Sequence, residues 1–133
     1  MCATARPARP RRGAGIRITG LDHLVLTVAD IDRSVSFCER VLGMRPVVLG
    51  DGRHVPASGT SKIDLHQVDR ELLPYATHPT PGSADLCLIT DTPHRQIPVP
   101  LAAGAVPVEE GPVPRTGARG PITSTCLPDR TAT

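Results

Sequence analysis

Residues 21–44, LDHLVLTVADIDRSVSFCERVLGM, contain a strand and a helix in immediate succession, and both ends of the helix are marked. Alternation over residues 18–28 places Leu24, Leu26 and Val28 on one face and Leu21, His23, Val25 and Thr27 on the other, which predicts a strand with one apolar side. Asp30 stands where a side chain accepts from the free amides of a first helical turn. Asp32 complements the positive end of the dipole, and Ile31, Val35, Cys38, Val41 and Leu42 recur at helical spacing. Gly43 supplies the stop. The result is a histidine set on the polar side of a strand whose other side a helix covers.

Outward from this block, residues 44–49 read as a short apolar strand, followed by a turn at Gly50, Asp51 and Gly52. Residues 53–57 are a weaker strand, interrupted by Pro56. Residues 62–68 alternate cleanly, with Ile63 and Leu65 on one face and Asp64 and His66 on the other. A proline-rich connector over residues 69–83 suits neither helix interior nor central strand. The pattern restarts at residues 84–90, where Leu86 and Leu88 oppose Asp85, Cys87 and Ile89, so that Asp85 takes the place His23 holds in the first unit. Asp91 or Thr92 caps a second helix that Pro98 and Pro100 are expected to break within two turns. Residues 105–109 and 122–127 are the remaining strands, joined by a glycine-rich loop over residues 111–121. No fourth strand follows them.

With 133 residues the chain suits one domain with a true core. Its net charge of +2 arises in residues 1–18, which hold Arg6, Arg9, Arg11, Arg12 and Arg17 and no acid. Ten basic side chains against thirteen acidic ones remain, about −3 for the body, which argues against nucleic-acid binding by the folded part. The Arg- and Pro-rich tail has too little apolar surface to order itself and reads as disordered. No segment has the length of a membrane span or the apolar run of a secretory signal. Cys2, Cys38, Cys87 and Cys126 are widely spaced, which fits free thiols in a reducing cytoplasm, with Cys38 and Cys87 as small core residues. Phe37 and Tyr75 are the only aromatics, too few for stacking platforms.

The blocks LDHLVLTVADIDRSVSFCERVLGM, KIDLHQ, HPTPGSADLCLIT and VPVEEGPVPRTGARGPI, in that order and spacing, resemble the vicinal oxygen chelate superfamily of glyoxalases, bleomycin resistance proteins and extradiol dioxygenases. Within it, they resemble glyoxalase-domain proteins related to lactoylglutathione lyase. The resemblance implies an α+β fold of paired βαβββ modules around a cavity. Residues 19–69 would be the first module, 70–83 a linker and 84–133 a second, incomplete module. It also implies a divalent metal (Zn, Ni, Fe or Mn), a small oxygenated substrate and a homodimer.

Carried across by position, His23 matches the first-strand metal ligand, His66 the histidine of the LHQ segment, and Asp85 the first strand of the second module, which makes His23, His66 and Asp85 the metal ligands that the resemblance implies. The family's terminal glutamate has no counterpart, because the chain reads STCLPDRTAT and ends, and the last strand is missing with it. Three readings follow. The first is a metal-dependent glyoxalase-like lyase, isomerase or dioxygenase, impaired by that loss. The second is a non-catalytic, antibiotic-sequestering type of binding protein, and the third a truncated product without independent function. His23 and His66 each remain open between ligand and hydrogen-bonded strand histidine, and Asp64 between ligand, supporting carboxylate and solvated acid. Glu109 and Glu110 read as a solvated strand end. Arg115, with Arg119, is either a gate over an anionic substrate or part of a plain connection.

Overall fold

The computed structural model describes residues 3–4 and 15–132, so residues 1–2 and 5–14 of the tail assigned to residues 1–18 lie outside the described residues. Strand β1 (His23–Val28) leads into helix α1 (Ile31–Arg40), then β2 (Arg45–Val48), β3 (His54–Ser58) and β4 (Ser61–Gln67). These four strands form one mixed sheet in the order β1-β4-β3-β2, with β1 parallel to β4 and the other pairs antiparallel. A crossover helix between two parallel neighbours is what the alternating and helical periodicities of residues 21–67 demand.

The helix forms where its signals stand. Asp30 is extended and its Oδ1 accepts from the Arg33 amide at 2.9 Å, while Gly43 adopts φ +64 beyond the last turn. The buried face of α1 meets Val28, Ile63, Leu65 and Met44, with Cys38 among them and Leu26, Ile31, Val35, Phe37 and Leu42 around the rim. Gln67 ties the sheet to the helix entrance, donating from Nε2 to the Ala29 carbonyl at 2.5 Å and accepting from the Ile31 amide at 3.2 Å.

The weaker strand at residues 53–57 turns out to be interior to the sheet, with Pro56 fully buried. Pro56 lies opposite Pro46. The Leu49 amide bonds to the Arg53 carbonyl at 2.8 Å, and alternating from that pair puts the two prolines at a non-hydrogen-bonded position, where neither missing N–H is needed by the other strand.

Several expectations beyond residue 67 are corrected. Residues 84–90 form no strand: Leu86, Leu88 and Ile89 are exposed, and so is Cys87, which is no core residue. Alternation is present there, but no neighbour among the described residues pairs with it, and strand formation is a property of the pair. Residues 18–22 likewise stay outside β1, with Ile18 and Leu21 exposed. The second helix is short, as its prolines lead one to expect, but Pro98 and Pro100 lie within it rather than ending it. After a 3-10 turn at His94–Gln96, Pro98 begins helix α2 (Pro98–Ala103), where a proline's missing N–H costs nothing.

The strand expected at residues 105–109 lies later, and the supposed loop 111–121 is a hairpin. Strand β5 (Glu110–Gly117) pairs antiparallel with β6 (Gly120–Cys126) in a separate two-stranded sheet, with an irregularity between Glu110 and Val113. Its prolines are tolerated because a two-stranded ribbon has two free edges. The architecture is therefore α+β, with one full βαβββ unit and a second reduced to a short helix and a hairpin. The two parts meet at α1, where Gly104 approaches so closely that a Cβ there would lie 2.6 Å from Val41 Cγ2.

Candidate functional site

The register of the parallel pair decides which side chains can cooperate. His23 stands opposite Lys62, Val25 opposite Asp64 and Thr27 opposite His66. Alternation places all six on the face of the sheet opposite α1. Three ionisable residues of β4, Lys62, Asp64 and His66, thus run in a row beside the histidine of β1.

His23 is half exposed and oriented from behind. Its Nδ1 lies 2.8 Å from Asp22 Oδ1, and a carboxylate there takes the hydrogen bond of an Nδ1–H, which leaves Nε2 facing the sheet. Nε2 is 3.9 Å from Asp64 Oδ2. Asp64 is buried, contrary to the solvated alternative, because Lys62 donates from Nζ to its other oxygen, Oδ1, at 2.7 Å. The acid is buried because it is paired.

This pair can be tested against a divalent cation. With bonds of about 2.0–2.2 Å from nitrogen and oxygen, donors at right-angled to tetrahedral spacing sit about 3.0–3.5 Å apart. A separation of 3.9 Å therefore needs a closure of about 0.4–0.9 Å, within side-chain freedom. The donor chemistry fits, imidazole with carboxylate, and Lys62 is the competing cation. No group of three or more metal-ligating side chains occurs among the described residues.

The other residues singled out from sequence lie elsewhere. His66 is buried and its Nδ1 has no hydrogen-bond partner among the described residues. It stands four residues further along than His23, about 13 Å in strand rise, so Asp64 rather than His66 meets His23. Asp85 is exposed on the irregular segment. Arg115 is not on a loop but on β5, exposed and donating from Nη2 to Glu110 Oε2 at 2.7 Å, while Arg119 sits in the hairpin turn. Glu109 and Glu110 are exposed, as are His54 and His94. The residue that sequence reading passed over is Lys62; its signal was the spacing of two residues to Asp64 and four to His66 on one strand face.

Beside this row lies a cavity of about 140 Å³. Val25 and Thr27 form one wall, His78 and Pro79 of the connector another, and Asp129 and Thr131 the floor near the end of the chain. The C-terminal 3-10 turn, Arg130–Ala132, is fixed there by the Ala29 amide donating to the Thr131 carbonyl at 3.0 Å. Polar groups and apolar wall thus share one face of β1. No helix among the described residues is long and apolar enough to cross a membrane.

Comparison with known proteins agrees with the fold. Residues 20–98 match the family model described as Glyoxalase/Bleomycin resistance protein/Dioxygenase superfamily. The chain is 46% identical over 112 residues to Virulence protein STM3117 of Salmonella typhimurium, covering 84% of this chain and 78% of that one. The crystal structure of that protein superposes with a TM-score of 0.82 at 44% identity, over 87% of this chain and 92% of the other. Glyoxalase domain-containing protein RDO1 of Mycosarcoma maydis is 41% identical over 123 residues, 92% of this chain and 69% of its own. Lactoylglutathione lyase from Agrobacterium tumefaciens shares the fold at a TM-score of 0.61 and 17% identity, over 86% and 89% of the two chains.

Proposed function

The chain belongs to the glyoxalase/bleomycin resistance protein/dioxygenase superfamily, and on that premise we propose that it binds a small oxygenated molecule on the β1–β4 face with help from a divalent cation, in glyoxalase-like lyase, isomerase or dioxygenase chemistry. The observation that carries this is the approach of His23 Nε2 to Asp64 Oδ2. When bound, such a cation polarises adjacent oxygens of a substrate and stabilises negative charge on them.

The protein's own groups have separable tasks in this reading. Asp22 holds the His23 ring so that Nε2 is presented, and Asp64 brings the negative charge that retains a cation. Lys62 limits that charge and offers a donor to an anionic oxygen. His66, whose Nδ1 is buried without a partner among the described residues, provides a hydrogen-bonding group at the far end of the row. Val25 and the connector residues His78 and Pro79 line the cavity beside the row. We place the chain in the cytoplasm as a homodimer, a reading supported by its free thiols and by the unpaired outer edge of β1.

The test is calorimetric titration with Zn²⁺, Ni²⁺, Mn²⁺ and Fe²⁺. One equivalent per chain is expected, weakened by His23→Ala and by Asp64→Asn but untouched by His78→Ala. Binding indifferent to both His23→Ala and Asp64→Asn refutes the site. A second reading, metal-free sequestration of a small molecule, is favoured by one observation: Lys62 already occupies Asp64 Oδ1. It expects ligand binding that survives chelator.

A further inference from the structure

On the opposite side of the sheet from the His23 row, α1, the turn after α2 and the C-terminal 3-10 turn enclose a depression of about 180 Å³ lined by Arg33, Phe37, Gly104, Val106 and Arg130. We propose that it is a binding site for a small oxyanion, a phosphate or carboxylate group, separate from the β1–β4 face.

Two guanidiniums share this depression, and neither makes an ion pair with an acidic side chain among the described residues. Asp30 and Asp129, the acids on the same elements, form no ion pair with either guanidinium among the described residues. Asp30 Oδ1 receives the Arg33 amide, while Asp129 Oδ1 receives both the amide and the hydroxyl of Thr131 at 2.8 and 2.6 Å. Arg130 is held in position by donating from Nη2 to the Ala105 carbonyl at 3.2 Å, and its Nε is buried without an acceptor among the described residues. Its charge is therefore partly withdrawn from water and incompletely compensated, a state that an incoming anion relieves.

The remaining lining has complementary properties. Phe37 and Val106 form an apolar wall that lowers the local dielectric, which strengthens attraction between a guanidinium and an anion. Gly104 contributes backbone without a side chain to fill the depression. An arginine's planar fork matches two oxygens of a phosphate or carboxylate, and a second arginine adds charge without requiring a fixed geometry. Such an anion would link α1 to the C-terminal turn.

The experiment is titration of the intact chain with inorganic phosphate, and in parallel with acetate, following amide shifts and melting temperature at constant ionic strength. Saturable phosphate binding is expected, with the largest shifts at Arg33, Val106 and Arg130. Saturation by acetate as well assigns the site to oxyanions generally, and saturation by phosphate alone narrows it to phosphate. Arg33→Gln keeps the backbone cap at Asp30 and should weaken binding about five- to tenfold. Arg130→Gln should weaken it further, with folding checked by the retained spectrum. Arg45→Gln, an exposed arginine on β2, should change nothing. The proposal is overturned if neither anion saturates, if Arg33→Gln binds as wild type, or if Arg45→Gln weakens binding equally.

Discussion

Replacing Lys62 by methionine should tighten divalent cation binding at the His23–Asp64 pair. The ammonium and carboxylate are 2.7 Å apart. Their gross attraction is about 1.5 kcal/mol in a fully aqueous dielectric and about 6 kcal/mol at an effective value of 20. Asp64 keeps 12% of its side-chain surface and Lys62 32%, so the pair lies between these limits. Desolvation and side-chain ordering then offset most of the attraction, leaving a net coupling of about 1–2 kcal/mol. A metal ion must compete with that coupling for the same carboxylate, so Lys62→Met should lower the dissociation constant about tenfold. Methionine preserves most of the aliphatic packing of the lysine stem, which keeps the change electrostatic. Calorimetry on wild type, Lys62→Met, Asp64→Asn and the double variant closes a cycle. The gain should vanish when Asp64 is already asparagine. Equal affinity for wild type and Lys62→Met, or a gain that persists without the Asp64 charge, refutes the account of the row as a contested cation site.

Three further outcomes concern stability and reactivity. Val28→Ala, at a fully buried position against α1, should cost about 2–3 kcal/mol in denaturant unfolding. Asp30→Ala removes the cap on the Arg33 amide and should cost about 1 kcal/mol by the same measurement. Burial, with Asp129 adding to it, pushes the Cys38 thiol up to about 11 from an ordinary 9.0. Because the folded value is the higher one, the stability tied to the neutral thiol is complete below pH 9 and is lost as pH rises towards 11, about 2–3 kcal/mol in all. Cys38→Ala should flatten that limb of the pH profile. In the native state at pH 8, exposed Cys87 should react with a thiol reagent well before Cys38.

The first half of the fold was legible because its signals are local and mutually consistent. Apolar alternation in β1, the Asp30 cap, helical spacing from Ile31 to Leu42 and the Gly43 stop all point to the same unit. The second half misled for a physical reason. Residues 84–90 have the alternation of a strand but no partner, whereas residues 110–126 pair well despite carrying Pro112, Pro114 and Pro121. Composition describes one segment, and pairing requires two. The same limit governs the site. That His23 lies on a polar face could be read from β1 alone, but whether it meets Asp64 or His66 depends on the register of β1 against β4. A shift of two residues would exchange those neighbours, and no single-strand pattern specifies it.

The separate β5–β6 ribbon has consequences for how the molecule opens. Its ladder bonds run between its own two strands, and among the described residues none joins it to the four-stranded sheet. A ribbon of two strands is only marginally stable by itself, so this one depends on whatever holds the flanking turns in place. Local openings that release the hairpin need not disturb the β1–α1–β4 core. Native-state hydrogen exchange should accordingly divide the chain into two protection classes, slow amides in β4 and α1 and faster ones in β5 and β6. The polar row would then outlast the fraying of its neighbour, ready-made on the part of the chain that stays closed longest.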